Sequence, residues 1–559
     1  MPPADALTPE GPLRPLRVGL LVDSLIQPAW VGRALQRIVE QNAGAFHLVI
    51  RNATPPVPRK GRLATYWTNR RQLLHALYQR MDSRKHKTDP DPFADVDLSG
   101  LLGNVPTIDV LPRLTKSTDE IVEADVAAIR SAELDVIVRL GFRILKGGIL
   151  GAARYGVWSY HHGDNTRYRG GPPCFWEVME AQPITGTILQ RLTEALDDGE
   201  VLYRSWGATN VHSVVRNRHE IYWKSAEFLA RAMRRIQQGE SPAPTPPSAY
   251  GYRLYVAPSN AEMARALGSL AQRRLAAKWE ALTTKEQWFL AWRRRANLPD
   301  DNRDPDLSPF RFRKLFPPAD QYWADPFPIR VDGADYLVYE DYRYALNRGV
   351  ISALRLGTEG PVGEPQVVLD PGYHLSYPFL FSWRGEQFMI PETAAESRVE
   401  LYRAVRAPYE WSLEQVLMND ISLADVTLAE IEGRWWMFAN HAAPGASYWD
   451  ELHLFHAPSP LGPWEPHLLN PVVSDVRSAR PAGGLFRRHG AWYRPSQDSS
   501  GGYGSATNIQ RIVRLDTTRY EEETVARLEP GWEPGLDGVH TVNALGGLTV
   551  IDIKRRVPR

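Results

Sequence analysis

Residues 155–203 read YGVWSYHHGDNTRYRGGPPCFWEVMEAQPITGTILQRLTEALDDGEVLY, and this stretch decides the fold of the chain's first third. The apolar run Val157–Tyr160 ends at His161, which predicts a buried strand carrying an imidazole at its C-terminal end. In open α/β sheets that end faces the ligand crevice. An Arg-Gly-Gly-Pro-Pro turn follows at 169–173, and the acidic pair Asp197-Asp198 lies near the end of the stretch.

Upstream, short apolar runs alternate with amphipathic ones. Leu16–Asp23 predicts a strand, and Pro28–Gln41 a helix whose buried face holds Trp30, Val31, Leu35, Ile38 and Val39. Phe46–Ile50 predicts the next strand and 63–83 a helix; Thr107–Leu111 is a further strand. The run Ser117–Glu120 reads as the cap of a helix reaching Ala132. Asp135–Leu140 predicts a strand, Leu145–Ala153 a short helix, and His212–Gln238 a helix closing the domain. This alternation predicts a doubly wound α/β sheet, parallel and covered on both faces. Val22-Asp23-Ser24 follows the first strand in place of a Gly-x-Gly-x-x-Gly turn, so NAD and FAD are not expected.

At 559 residues the chain is too long for a single core. Its 43% hydrophobic and 23% charged residues are ordinary for a globular protein, and a net charge of +1 gives no field that would favour nucleic acid. The lone Cys174 excludes an internal disulfide and fits a reducing, cytoplasmic setting. No run approaches the length of a transmembrane helix, and the Pro-rich residues 1–15 read as a disordered lead.

The segments LDVIVRLGFRILKGGIL (134–150), YGVWSYHHGD, RYRGGPP and ITGTILQRLTEALDDGEVL (184–202) together resemble the formyltransferase family, which includes methionyl-tRNA and sugar N-formyltransferases. The resemblance spans residues 16–238 and implies 10-formyltetrahydrofolate as cofactor, an Asn-x-His pair at a strand end, and an Asp in a Leu-Asp-x-Gly loop. By that match His161 and Asp197 are catalytic, and Ser159 stands where the family has Asn. The resemblance also implies cofactor contacts at Gly141, Phe142, Ile144, Asn165, Arg169 and Gly170. In formyl transfer an amine attacks the formyl carbon, an oxyanion forms and must be held by aimed donors, and an imidazole moves the proton. A serine has one hydroxyl hydrogen where an Asn amide has two, so Ser159 departs from the pattern at its most sensitive point. No metal is expected in this site.

Residues 239–320 read as a Pro-rich linker, SPAPTPPSAYG at 241–251, and a helical bridge with helices over 259–280 and 283–296. Docking on a neighbouring domain is the expectation for the second of these, with a membrane-surface helix as the competing one. From 321 to 559 the composition turns aromatic and β-branched, with a short head motif leading each repeat: 324–327, 376–379, 424–427, 480–483 and 538–541. Five four-stranded units at this period predict a five-bladed β-propeller. WADPF, HLSYPFLF, IPET, LADVTL and GVHT resemble the propellers of the glycoside hydrolase 43-like superfamily and the N-terminal domain of glucosamine inositolphosphorylceramide transferases. The expected channel residues are Asp325, Glu340, Glu392, Asp425, Arg480 and His540, with Trp323 and Tyr377 as further lining. The resulting expectation is an enzyme that transfers a formyl group to an amine on a small or glycan-like acceptor held by the propeller. The alternative is a carbohydrate-binding or carbohydrate-processing protein centred on the propeller, with a divergent α/β domain; glycosidase chemistry needs two flanking carboxyls, and by the resemblance Arg480 stands where the hydrolases carry their acid, which favours binding over hydrolysis.

Overall fold

The computed structural model describes residues 14–55, 70–194, 199–240 and 250–559. The chain divides into two units, Met1–Arg273 with Ala443–Ala446, and Arg274–Ala442 with Ser447–Arg559.

The first unit is built on a seven-stranded sheet of β1 (Leu16–Val22), β2 (Gly44–Asn52), β3 (Thr107–Val110), β4 (Val136–Arg139), β5 (Val157–His161), β6 (Ile184–Arg191) and β7 (Glu200–Ala208). Its spatial order is β7-β6-β5-β4-β1-β2-β3. The five strands from β5 to β3 pair in parallel, whereas β6 and β7 are antiparallel additions at one edge. Alternation along β1 sends Val18, Leu20 and Val22 into one core and Leu21 into another. The first core is closed by α1 (Ala29–Glu40), which buries Trp30, Val31, Ala34, Leu35 and Ile38. Two further helices, Val214–Ser225 and Phe228–Gln237, pack into the same core. The second core holds Ile137 and Val157 against Val126 and Ile129. The chain winds outward from β1 to β3 and then resumes at β4 on the other side, so the crevice beyond the carboxyl ends of β1 and β4 is the topological switch point.

Two local expectations are corrected. Thr118–Glu120 is a strand, and the helix begins only at Glu123; the buried Asp119 carboxylate accepts from the Arg143 backbone N and Nε at 2.8 Å each, which holds this segment extended against Ile144–Lys146. The segment after Gly141 is correspondingly that short strand followed by a 3-10 turn at Gly148–Gly151. The expected helix 63–83 lies partly outside the described residues, and its visible part is Leu73–Lys85.

The second unit contains four four-stranded antiparallel sheets, led in turn by Gln321–Val331, Ser376–Trp383, Leu423–Ile431 and Phe486–Arg488. The predicted helix 283–296 is a strand, Thr284–Arg294, paired antiparallel along its whole length with Leu548–Pro558 to form a fifth sheet. The reason is period two. Leu290 and Trp292 enter one core while Phe289 and Ala291 enter another, so both faces are buried and no membrane-facing surface exists there. No described helix is long and apolar enough to cross a membrane.

The first three head motifs share one backbone device. Pairing slips between Ala324 and Phe327, between Ser376 and Phe379, and between Ala424 and Thr427. Each slip is a bulge whose second residue is left-handed: Asp325 at φ 51°, Tyr377 at φ 41° and Asp425 at φ 54°. Asp tolerates this region, but for Tyr377 it costs about 1–3 kcal/mol, which the surrounding structure must over-determine. Its hydroxyl does so: it lies 2.8 Å from Thr427 Oγ1 and accepts from the Gly483 N at 2.8 Å.

Candidate functional site

Two sets of polar residues stand out, one in each unit. In the first unit, β5 alternates so that Ser159 and His161 share a face. Both line a cavity of about 170 Å³, together with Ile144, Leu145, Gln190 and Glu194. A second cavity of about 340 Å³ is lined by Asp23, Gln27, Trp30, Gly141, Phe142, His162 and Tyr222. Arg139, Ser159 and Tyr160 belong to both, so they form a common wall at the switch point.

His161 Nε2 lies 3.0 Å from the Tyr168 carbonyl. A carbonyl only accepts, so this ring nitrogen carries hydrogen and Nδ1 is the basic position of the neutral ring. Arg139 Nη1 donates to Ser159 Oγ at 2.9 Å. Gln190 is buried, and its Oε1 finds no partner among the described residues while lining the smaller cavity. His162, by contrast, is packed: it stacks on Tyr222 at 3.7 Å, and its Nε2 meets Ser225 Oγ at 3.0 Å. Burial pushes its pKa well down, with the neighbouring His161 and Arg218 adding to the shift, so the ring is neutral.

The expected site residues thus separate into three groups. Ser159, His161 and Ile144 line the smaller cavity; Gly141 and Phe142 line the larger. Asn165, Arg169 and Gly170 line neither and serve the surrounding loop. Asn165 Oδ1 accepts from Arg204 Nη2 at 2.8 Å, Arg169 Nε donates to the Asn165 carbonyl at 2.8 Å, and the Arg169 guanidinium lies 4.5 Å from the Tyr250 ring centroid. Gly170, at φ 99°, approaches so closely that a Cβ would stand 2.1 Å from the Tyr255 carbonyl oxygen. Gly170→Ala is therefore expected to destabilise the first unit by at least ~1–3 kcal/mol, read as a lower urea midpoint; an unchanged midpoint would contradict this packing. Asp197 lies outside the described residues. Reading the sequence did not single out Arg139, Gln190 or Asp23, although a charged residue ending an apolar strand, as in Val136-Ile137-Val138-Arg139, was a visible signal.

In the second unit the bulged head residues bring carboxylates from several sheets into one buried network. Asp325 Oδ2 accepts from the Tyr377 N at 3.2 Å and Oδ1 from Thr541 Oγ1 at 2.6 Å. His540 bridges Asp325 (Nε2 to Oδ1, 3.3 Å) and Asp552 (Nδ1 to Oδ2, 2.8 Å), and Asp552 Oδ2 also accepts from the Asp325 N at 2.9 Å. Although burial lowers it, the two carboxylates raise the His540 pKa and keep the ring protonated. Asp425 accepts from Arg480 Nε at 2.5 Å and Gln497 Nε2 at 3.0 Å, and its own N donates to Glu392 Oε2 at 3.2 Å. Tyr322 OH donates to Glu340 Oε1 at 3.3 Å. Of the six expected channel residues, Asp325, Glu392, Asp425, Arg480 and His540 are bonded into these groups, whereas Glu340 bonds to Tyr322 and meets Asp325 and Glu392 through charge alone; Asp552, Tyr322 and Gln497 are additions. Trp323 is not part of it: it is buried in a core with Leu290 and Tyr339. Asp325, His540 and Asp552 each place one ligand-type atom within 4.8 Å of the others, but an imidazolium held between two carboxylates has no lone pair to offer a cation.

Five carboxyls here face two cations, and the surplus shows in their proton affinities. Burial, then repulsion from Asp425, pushes Glu392 up to about 8 against the pull of Arg480. Burial and the neighbouring acids raise Asp325 to about 6, and burial first of all pushes Glu340 well above the ordinary carboxylate range. Between the ordinary carboxylate range and about pH 8, the folded chain keeps the Glu392 proton that the unfolded chain has released. The folded state then binds more protons, so stability falls as pH rises through this window. Glu392→Gln is expected to reduce that slope by up to ~1.4 kcal/mol per pH unit, measured by urea unfolding across the window; an unaltered slope would mean that Glu392 is ionised throughout.

The first unit is thus an α/β sheet with paired cavities at its switch point, and the second a set of antiparallel sheets with a buried acidic centre. Residues 315–530 match the family described as glucosamine inositolphosphorylceramide transferase 1, N-terminal. Glucosamine inositolphosphorylceramide transferase 1 of Oryza sativa subsp. japonica is 37% identical over 206 residues, 36% of this chain and 28% of the rice protein. The chain therefore spans little more than a quarter of that relative's length. Methionyl-tRNA formyltransferase of Prochlorococcus marinus is 29% identical over 115 residues, covering 20% of this chain and 34% of that protein. A family 117 glycoside hydrolase from Zobellia galactanivorans superposes with a TM-score of 0.30 at 13% identity, covering 49% of this chain and 91% of its own. The relatives of both halves are transferases by name.

Proposed function

We propose that the first unit transfers a formyl group from 10-formyltetrahydrofolate to an amine, and that the second unit, read as a five-bladed β-propeller, binds the sugar-like part of the acceptor. The observation that carries this reading is the shared wall: two cavities meet at Arg139, Ser159 and Tyr160, beside His161. A two-substrate transfer needs such an arrangement, with donor and acceptor approaching one reacting carbon from two sides. The smaller cavity suits the donor's bicyclic head. At about 170 Å³ it lies below the ~300–1,000 Å³ of complete drug-sized pockets, and Gln190 Oε1, which has no partner among the described residues, offers an acceptor for ring N–H groups. The larger cavity, with the Asp23 carboxylate and the rings of Trp30 and Tyr222, suits an amine on a sugar ring. The name of the rice relative joins glucosamine to transfer, which agrees with an amino-sugar acceptor. In this reading His161 receives the amine proton through Nδ1 while its Nε2 stays bonded to the Tyr168 carbonyl. A folate donor also implies a cytoplasmic setting.

For the second unit a binding role is favoured over glycoside hydrolysis. Arg480 neutralises Asp425 at 2.5 Å, so this carboxylate is held in an ion pair instead of being poised beside a scissile bond.

The reading is tested by thermal unfolding with and without 10-formyltetrahydrofolate. At about a hundredfold excess over Kd the donor should stabilise the first unit by ~2.7 kcal/mol, and Gln190→Leu should abolish most of that shift. No shift at saturating donor would refute folate use.

A further inference from the structure

The departure at Ser159 leaves the reaction without the amide that the resemblance implies, and the structure offers a replacement. We infer that Arg139 is the catalytic residue that holds the developing oxyanion, with Ser159 as its seat; this rests on the formyl-transfer reading above.

Three of its bonds aim the guanidinium. Nε donates to the Arg143 carbonyl at 3.1 Å, Nη2 to the Phe142 carbonyl at 3.2 Å, and Nη1 to Ser159 Oγ at 2.9 Å. The first two acceptors belong to the turn directly after β4, so the side chain is pinned by its own strand end. The third reaches across to β5, the parallel neighbour of β4. Ser159 itself is buried, accepts from Arg139, and turns its one hydrogen toward the Tyr160 carbonyl at 3.4 Å. It is therefore a positioning residue, and the charge delivered to the common wall of both cavities comes from Arg139. A fixed cation at the point where negative charge develops needs no reorganisation during the reaction.

The step balances as follows. The acceptor nitrogen forms a bond to the formyl carbon, and the carbonyl π pair moves to oxygen beside the Arg139 guanidinium. His161 takes the proton from the attacking nitrogen. The oxyanion then collapses, the carbon–nitrogen bond to the folate breaks, and His161 returns the proton to the leaving nitrogen. The products are the N-formyl acceptor and tetrahydrofolate, and no oxidant or reductant takes part.

The test uses the full chain, 10-formyltetrahydrofolate and a panel of amino sugars, with tetrahydrofolate release and donor-induced stabilisation both measured. Arg139→Met should lower kcat by ~10²–10³ while the donor shift persists. Adding Ser159→Asn to that variant should restore kcat by about tenfold or more, because the amide supplies a donor where the arginine acted. A kcat within threefold of wild type in Arg139→Met, or a loss that Ser159→Asn leaves untouched, would overturn the inference. So would loss of the donor shift in step with kcat, which would make Arg139 a donor-binding group. If Arg139→Met does not fold, Arg139→Lys carries the test: it keeps the charge but not the three-bond seat, and should lose about tenfold in kcat that Ser159→Asn recovers. An inactive wild-type chain with every amine would instead refute the formyl-transfer reading.

Discussion

Arg480→Met is expected to lower the stability of the second unit by about 3–5 kcal/mol, the cost of stranding a buried carboxylate. Arg480 is the only arginine bonded to Asp425 among the described residues, and it also lies 3.4 Å from Glu392. Removing the cation leaves the buried Asp425 carboxylate among other acidic side chains without a counter-charge. The double variant Asp425→Asn with Arg480→Met should regain most of the loss. Asn keeps the shape, tolerates the left-handed backbone at φ 54°, and needs no counter-ion. Chemical unfolding followed through the tryptophans of this unit reads both numbers. If the single and double variants lose the same stability, the ion pair is not what holds the centre together.

His161→Ala should abolish formyl transfer by about 10²–10⁴-fold while leaving the fold intact, since a general base contributes that much to proton transfer. The neighbouring histidine makes the contrast sharp. His162 is neutral, stacked on Tyr222 and hydrogen-bonded to Ser225, so His162→Ala should cost stability more than rate. His161 sits at the cavity wall with Nε2 tied to the Tyr168 carbonyl, which directs its chemistry through Nδ1. Steady-state rates and unfolding midpoints for the two variants decide the matter. Equal rate losses in both would remove the distinction on which the mechanism rests.

Much of the first unit was legible because its strands are short apolar runs with sharp ends. Val157–His161 and Val136–Arg139 need only periodicity to be recognised. What failed were segments where one long-range bond overrides local preference. Thr118–Glu120 carries helix-capping residues, yet the Arg143 bonds to Asp119 hold it as a strand. Thr284–Arg294 is the plainest case. Its apolar residues are nearly continuous, and a strand buried on both faces cannot be told from a buried helix by hydrophobicity alone. Its partner lies at Leu548–Pro558, far along the chain, where nothing local points back to it. In the candidate site, Ser159 and His161 were singled out through the formyltransferase resemblance, His161 also by its place at a strand end; Arg139 was not, because its relevance depends on bonding across strands. The head motifs were visible as repeats, while the left-handed bulge shared by Asp325, Tyr377 and Asp425 was not. The same holds for Asp552, a lone carboxylate between two isoleucines of a strand, whose meaning lies in His540.

Formyl transfer from folate to an amine, proposed for the paired cavities at the switch point, is tested most directly by incubating the chain with isotopically labelled 10-formyltetrahydrofolate and a panel of amino sugars, then measuring label on the acceptor and tetrahydrofolate released. Labelled N-formyl product is expected in a one-to-one ratio with tetrahydrofolate, and is lost in His161→Ala. Donor left intact with every amine, or label transfer that survives His161→Ala, would contradict it.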